Sequence, residues 1–260
     1  MTRTIAAALT LAALTAQNPA PPPPAADCQE TAAALTRLLQ NDVRLRDWPN
    51  LARYREFNRT LPPSKAGESR VVFMGDSITD IWQREQYGFF VPAKPYVDRG
   101  ISGQTTPQML VRFRPDVIDL KPKVVVILAG TNDIAGNTGP MTDEDIQRNL
   151  ASMAELAKAN GIKVVLASIT PTSAYHVGPN GVAQTSTRPM SRIRANNDWM
   201  KKYAADNGHV YLDYFTPMLD ATGVMKSELT GDDLHPNAAG YAIMGPLAEA
   251  AIQRALSATR

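Results

Sequence analysis

Cysteine is almost missing from this chain of 260 residues: Cys28 stands alone, accompanied by only three histidines, His176, His209 and His235. A single thiol excludes an intramolecular disulfide framework, and this set does not make a structural zinc site of the common types. Charge of one sign is also lacking, since 27 Lys and Arg against 25 Asp and Glu leave a formal charge of +2. A strongly basic face, the usual footprint of a nucleic-acid binder, is therefore not expected. The densest basic groups, Arg112 with Arg114, Lys201-Lys202, and Arg188 with Arg192 and Arg194, read as solvated helix faces. No apolar run reaches the length of about 20 residues that a membrane-spanning helix needs. What remains is a chain that must be held by its core, and one large domain of this size buries roughly 70 to 75% of its unfolded surface without staples.

The first residues do not read as part of that domain. Thr2-Arg3 gives a positive start, Ile5 to Ala16 is an apolar run, and Gln17-Asn18-Pro19 ends it. Residues 1–16 are expected to be a secretory signal peptide, which makes the mature protein periplasmic or secreted. Pro19 and Pro21 to Pro24 make residues 17–26 a stiff, extended tether. Asp27 directly before Cys28 argues against lipid attachment there. From Gln29 to about Gln40 and from Asn50 to Asn58 the pattern is helical, with Leu35, Leu38 and Leu39 on one stripe, so residues 27–66 are expected to form an N-terminal helical arm. Residues 67–260 then form the main domain.

Within it, Val71 to Met74, Val124 to Leu128 and Val164 to Ala167 are short continuous apolar runs, with Val210-Tyr211-Leu212 a weaker fourth. Such runs suit parallel strands covered on both faces. Helical patterns alternate with them. In the segment from Thr142 to Asn160, Thr142 and Asp145 are spaced as a capping box, and Gly161 follows as a stop. The alternation predicts an α/β sandwich around a parallel sheet, with functional loops at the carboxyl ends of the strands.

Four blocks fall at those ends. Gly75-Asp76-Ser77-Ile78-Thr79 follows the first strand, and Arg99-Gly100-Ile101-Ser102-Gly103-Gln104 stands at the end of a further sheet strand that comes before Val124. Gly130-Thr131-Asn132-Asp133 follows Leu128, and Asp232-Asp233-Leu234-His235-Pro236-Asn237 precedes the last helical segment. A serine hydroxyl becomes a nucleophile only beside a base, the base needs a partner to fix its tautomer, and a developing oxyanion needs preorganised donors. These blocks offer each part. Asp232 and His235 lie three apart, close enough in a turn for the carboxylate to orient an imidazole facing Ser77. Gly103 offers an unobstructed backbone N–H, Asn132 an amide N–H, and Ser77 its own backbone N–H.

With these four blocks in order, the chain from about Arg70 to Ala255 resembles the SGNH/GDSL hydrolases, and within them the bacterial acylhydrolases similar to platelet-activating-factor acetylhydrolase catalytic subunits. The resemblance implies a three-layer α/β/α, flavodoxin-like sandwich with about five parallel strands. It also implies Ser77 as nucleophile, Gly103 and Asn132 as oxyanion donors beside the Ser77 amide, and Asp232 with His235 completing the triad. No cofactor and no metal are expected. The arm at residues 27–66 and the loop between Pro171 and Pro189 lie outside the matching blocks, so the substrate is not given by the resemblance; an ester of a small molecule or carbohydrate, with short acyl groups favoured, is expected. Lysophospholipase, thioesterase or acyltransferase chemistry on the same triad remains open, as does a non-catalytic carbohydrate-binding or envelope module. The family's Asp-x-x-His spacing selects Asp232 and leaves Asp233 solvated. Asp76, Thr79 and Asp133 read as turn and cap residues, Asp213 as a support of the site or a loop cap, and Trp82 as packing under the sheet or lining an acyl pocket. His209 reads as structural. His176 reads as a surface histidine in the long loop between Pro171 and Pro189, or as part of a substrate entrance.

Overall fold

A computed structural model describes residues 25–41, 46–176 and 181–258. The proposed leader and most of the proposed tether lie outside the described residues. The chain divides into two compact units, Met1–Leu45 and Arg46–Arg260. The described part of the first is helix α1, Ala25–Asn41, whose Leu35, Leu38 and Leu39 are exposed.

The second unit contains a five-stranded parallel sheet in the order β2-β1-β3-β4-β5. Its strands are β1 (Val71–Gly75), β2 (Tyr96–Gly100), β3 (Val124–Leu128), β4 (Lys163–Ala167) and β5 (Val210–Leu212). Alternate side chains leave opposite faces of a strand, and the core divides accordingly. Val72, Met74, Val125, Ile127, Val164 and Leu166 pack with residues of three helices: Thr106–Asp116, Asp143–Ala159 and Met190–Asn207. Val71, Phe73, Val124, Val126, Leu128 and Val165 pack with helices Ser77–Trp82 and Ala238–Ser257. The expected three layers are present, and β1 and β3 are neighbours at the point where the winding reverses. Thr142 and Asp145 form the expected reciprocal cap, with Asp145 N–H donating to Thr142 Oγ1 at 3.1 Å.

Three expectations are corrected here. Residues 51–54 are turns, and the helix in this region is Arg55–Thr60 rather than a span from Asn50. The compact unit begins at Arg46, so residues 46–66 belong with the main domain rather than with a separate arm. The physical reason is a row of hydrogen bonds to the sheet side. Gln108 Nε2 donates to Trp48 O and Gln104 Nε2 to Pro49 O, both at 2.7 Å; Asn58 Nδ2 reaches Asp116 Oδ1 at 2.7 Å, and Tyr54 Oη donates to Gly100 O. Arg112, expected on a solvated face, is fully buried. It donates to Gln104 Oε1 at 2.5 Å, Asp116 Oδ2 at 3.0 Å and Gly75 O at 3.0 Å. A buried guanidinium is tolerable when its donors are met in this way.

Candidate active site

The parallel register sets the ends of three strands level, since Gly75 pairs with both Gly100 and Leu128. The first three sequence blocks therefore leave the sheet side by side. After Gly75 the chain turns into the helix Ser77–Trp82, and Asp76 caps it by accepting the Ile78 N–H at 3.0 Å. Close approach forces glycine here: a Cβ on Gly75 would lie 2.0 Å from Thr79 Oγ1, and one on Gly100 would lie 2.2 Å from the backbone nitrogen of Asp80. Asp76 is buried beneath the turn, and that burial pushes its carboxyl up to about 6, against the opposing pull of the Ile78 N–H and His235. Its role is the cap that the sequence suggests.

The last block arrives from the loop before helix Ala238–Ser257. His235 Nε2 lies 2.9 Å from Ser77 Oγ, and His235 Nδ1 lies 2.6 Å from Asp232 Oδ2. Asp232 Oδ1 accepts the His235 backbone N–H at 2.7 Å and the Leu234 N–H at 3.1 Å. The carboxylate thus holds both ends of the same histidine. Partial burial works to raise its pKa, but the hydrogen bonds from the His235 ring and backbone outweigh it and hold Asp232 well below the ordinary carboxylate range. With Asp232 on Nδ1, the imidazole presents Nε2 to the serine hydroxyl, the geometry a general base requires.

Asn132 lies in the short helical turn Thr131–Ile134 and is buried. Its Nδ2 donates to Gln104 O at 3.0 Å, which brings it beside the Gly103–Gln104 segment. Gly103 has φ of +80°, left-handed backbone that favours glycine, and its carbonyl accepts from Asn137 Nδ2 at 3.1 Å. Asp133 does more than shape a turn: its Oδ1 accepts the Thr106 N–H at 2.8 Å and the Thr106 hydroxyl at 2.5 Å, tying this block to the start of the helix Thr106–Asp116. Trp82 is buried among Phe73, Phe89 and Tyr241, in the packing role. Asp213 caps Thr216 N–H at 2.9 Å.

Asp233 is a correction. It is not solvated but completely buried, with φ of +66°. Its Oδ1 accepts from Ser173 Oγ at 2.5 Å and lies 3.2 Å from His176 Nδ1, while Oδ2 accepts the His176 backbone N–H at 2.5 Å. Consecutive aspartates thus serve two histidines, one at the serine and one in the long loop. Arg188 is a second correction: only 8% exposed, it points Nη2 at Asn132 Oδ1 over 3.4 Å. Sequence reasoning missed both, because their partners stand 56 to 60 residues away.

A parallel sheet whose carboxyl edge brings aspartate, histidine and serine into one hydrogen-bonded line is the arrangement of an α/β hydrolase. The chain belongs to the GDSL-like lipase/acylhydrolase family, whose model matches residues 73–243. A crystal structure of a GDSL-like lipase from Bacteroides thetaiotaomicron is similar at 41% identity and a TM-score of 0.73, over 80% of this chain and 98% of that one. Esterase TesA of Pseudomonas aeruginosa is 32% identical over 140 residues, 54% of this chain and 60% of TesA, so less than two thirds of that relative is spanned. The human platelet-activating factor acetylhydrolase IB subunit alpha2 is 25% identical over 76% of this chain and 82% of its own length.

Proposed function

We propose that this protein is a cofactor-independent serine esterase that cleaves short acyl groups, acetyl above all, from a small-molecule or carbohydrate ester through an acyl-enzyme. The observation that carries the reading is the continuous hydrogen-bonded line from Asp232 through His235 to Ser77. As Ser77 Oγ attacks the ester carbonyl, His235 Nε2 takes its proton, and the carbonyl oxygen gains the negative charge. The Ser77 and Gly103 backbone N–H groups and Asn132 Nδ2 are the donors for that charge. His235 then returns the proton to the departing alcohol as the carbon–oxygen bond breaks. Water, deprotonated by the same imidazole, attacks the acyl-enzyme and releases the acid. Asp232 stays ionised throughout and stabilises the imidazolium. The acetylhydrolase name of one relative supports the short-acyl preference.

Residues 1–16 complete the proposal as an export leader. Among the described residues, no helix is long and apolar enough to cross a membrane.

The test is labelling with a fluorophosphonate probe followed by peptide mass spectrometry, beside a panel of esters from acetyl to long acyl. Labelling at Ser77, lost in Ser77→Ala together with hydrolysis of acetyl esters, is expected. Full esterase activity in Ser77→Ala, or labelling elsewhere, would overturn the nucleophile. A preference for long acyl chains would replace the short-acyl reading with a lysophospholipase or thioesterase.

A further inference from the structure

Arg188 was one of three arginines whose spacing suggested a solvated helix face, and the structure separates them. Arg192 is bound to Asp143 Oδ1 and to Met141 O, and Arg194 reaches Gly223 O across the ring of Phe215. Arg188 instead turns inward, toward Asn132. Its Nη1 is anchored on Gln184 Oε1 at 2.6 Å and Thr187 Oγ1 at 3.1 Å, and its backbone carbonyl accepts from Thr172 Oγ1 at 3.4 Å. Among the described residues no carboxylate oxygen lies within 4.0 Å of its side-chain nitrogens. Its Nε is buried with no hydrogen-bond partner among the described residues. Guanidinium stays protonated in proteins, and a buried cation without a paired carboxylate is costly. Burial works against this charge, with the more distant carboxylates of Asp76 and Asp232 pulling the other way.

The neighbourhood of Asn132 explains what this charge is for. An amide can be turned over, exchanging its oxygen and nitrogen. Gln104 O, an acceptor, takes one Nδ2 hydrogen on one side, and the Arg188 guanidinium, a donor only, faces Oδ1 on the other. Turning the amide over would set oxygen against carbonyl oxygen and N–H against N–H. One orientation survives, and it leaves the second Nδ2 hydrogen free. At 3.4 Å the Arg188 contact is long for a hydrogen bond, so its effect is mostly that of a fixed positive charge behind the amide.

We infer that Arg188 is a positioning residue of the oxyanion hole, which locks the Asn132 amide with Nδ2 toward the developing oxyanion and keeps an unneutralised positive charge behind it. This rests on the esterase reading. Among the described residues no carboxylate touches this charge in the resting site, and the oxyanion adds a new negative charge on its side of Asn132, so its stabilisation falls on the transition state rather than on substrate binding.

The experiment is a double-mutant cycle on p-nitrophenyl acetate hydrolysis with Arg188→Met, Arg188→Lys, Asn132→Ala and Arg188→Met with Asn132→Ala, each checked by its melting temperature. Asn132→Ala is expected to lower kcat about 10² to 10³-fold, the usual loss for one oxyanion donor. Arg188→Met should lower kcat roughly ten- to a hundredfold with KM changed less than about threefold, and in the Asn132→Ala background its cost should shrink to under about threefold. Arg188→Lys, which keeps the charge, should recover part of the loss; it also serves as the primary variant if Arg188→Met does not fold, with the same expectation of a loss confined to kcat and absent beside Asn132→Ala. An unchanged kcat in the Arg188 variants, an equal loss in the Asn132→Ala background, or a change carried by KM would overturn the inference. Failure of the esterase reading is read separately, from Ser77→Ala retaining full activity.

Discussion

The two halves of the site are held by opposite means. On the nucleophile side, the turn at Gly75–Ser77 grows out of a central strand and is fixed by steric fit: Gly75 and Gly100 have no room for a methyl group, Arg112 grips the Gly75 carbonyl, and Tyr241 Oη donates to Ile78 O at 2.7 Å. On the base side, Thr230–Asn237 has little regular structure and is held by polar side chains, with Asp232 serving its own loop and Asp233 clasping Ser173 and His176. The carboxylates record the difference. Burial outweighs all else for Asp76 and Asp98, raising them to about 6 and about 7. For Asp232 and Asp233 burial pulls the same way, but the hydrogen bonds they accept outweigh it and lower both. One side excludes water and stores charge at a cost; the other satisfies its charge. Stability and chemistry should therefore respond to different substitutions.

Asp232→Asn gives the largest expected effect on the base side. Its new amide N–H would face His235 Nδ1 and favour the wrong tautomer, so kcat for an acetyl ester should fall about 10³ to 10⁴-fold, as for a triad aspartate elsewhere. Because Asp232 is about half exposed, its melting temperature should shift by only a few degrees. A loss below tenfold would show that Asp232 does not orient the base; a collapse of the fold would erase the contrast between the halves. The paired glycines sharpen it next. Gly100→Ala drives a methyl into the backbone of Asp80 and Thr79 and should cost about 3 kcal/mol, measured by denaturant unfolding. Gly231→Ala, in the base loop, meets nothing within 4 Å and should stay within about 0.5 kcal/mol of the parent. Similar costs at the two glycines would deny that the nucleophile side is the sterically determined one.

How much of this was legible in sequence follows the same division. Local signals were readable: the apolar runs of β1, β3 and β4, the Thr142–Asp145 cap, and the Ser77 turn are all set by neighbours a few residues away. So was the Asp232-x-x-His235 pairing, because its partners are three apart. The burial of Asp233, Arg112 and Arg188 was not, since a charged residue in isolation reads as solvated and only the fold brings Ser173, Gly75 O or Asn132 to it. The same reason hid residues 46–60, whose attachment depends on single side chains such as Asn58 and Tyr54 meeting Asp116 and Gly100 across the chain. A stretch with weak periodicity gives no warning that its polar groups have distant partners.

The smallest effect tests the stored charge itself. Asp98 sits on β2 with Oδ1 accepting the Gly100 N–H at 2.8 Å and lying 3.3 Å from Tyr54 Oη, while its buried Oδ2 has no partner among the described residues. Its carboxyl, ordinarily near 3.8, is raised by burial to about 7. Between these values the folded protein holds a proton that the unfolded chain has released, so stability falls as pH rises through the window from about 4 to about 7 and stays lowered above it. Asp98→Asn keeps Oδ1 for the Gly100 N–H and carries no charge at any pH. Placing an amide at the Oδ2 position adds a penalty that does not vary with pH, so the informative quantity is the change in the variant's stability relative to the parent. Measured by denaturant unfolding, that difference should move in favour of the variant by on the order of 2 kcal/mol between pH 5 and pH 7. Asp232→Asn should move the other way, and only below about pH 4, because a lowered carboxyl contributes stability that is lost as pH falls from about 4 toward its folded-state value. A flat difference for Asp98→Asn would mean that the nucleophile side does not store charge at a cost, and the contrast between the two halves would then rest on packing alone.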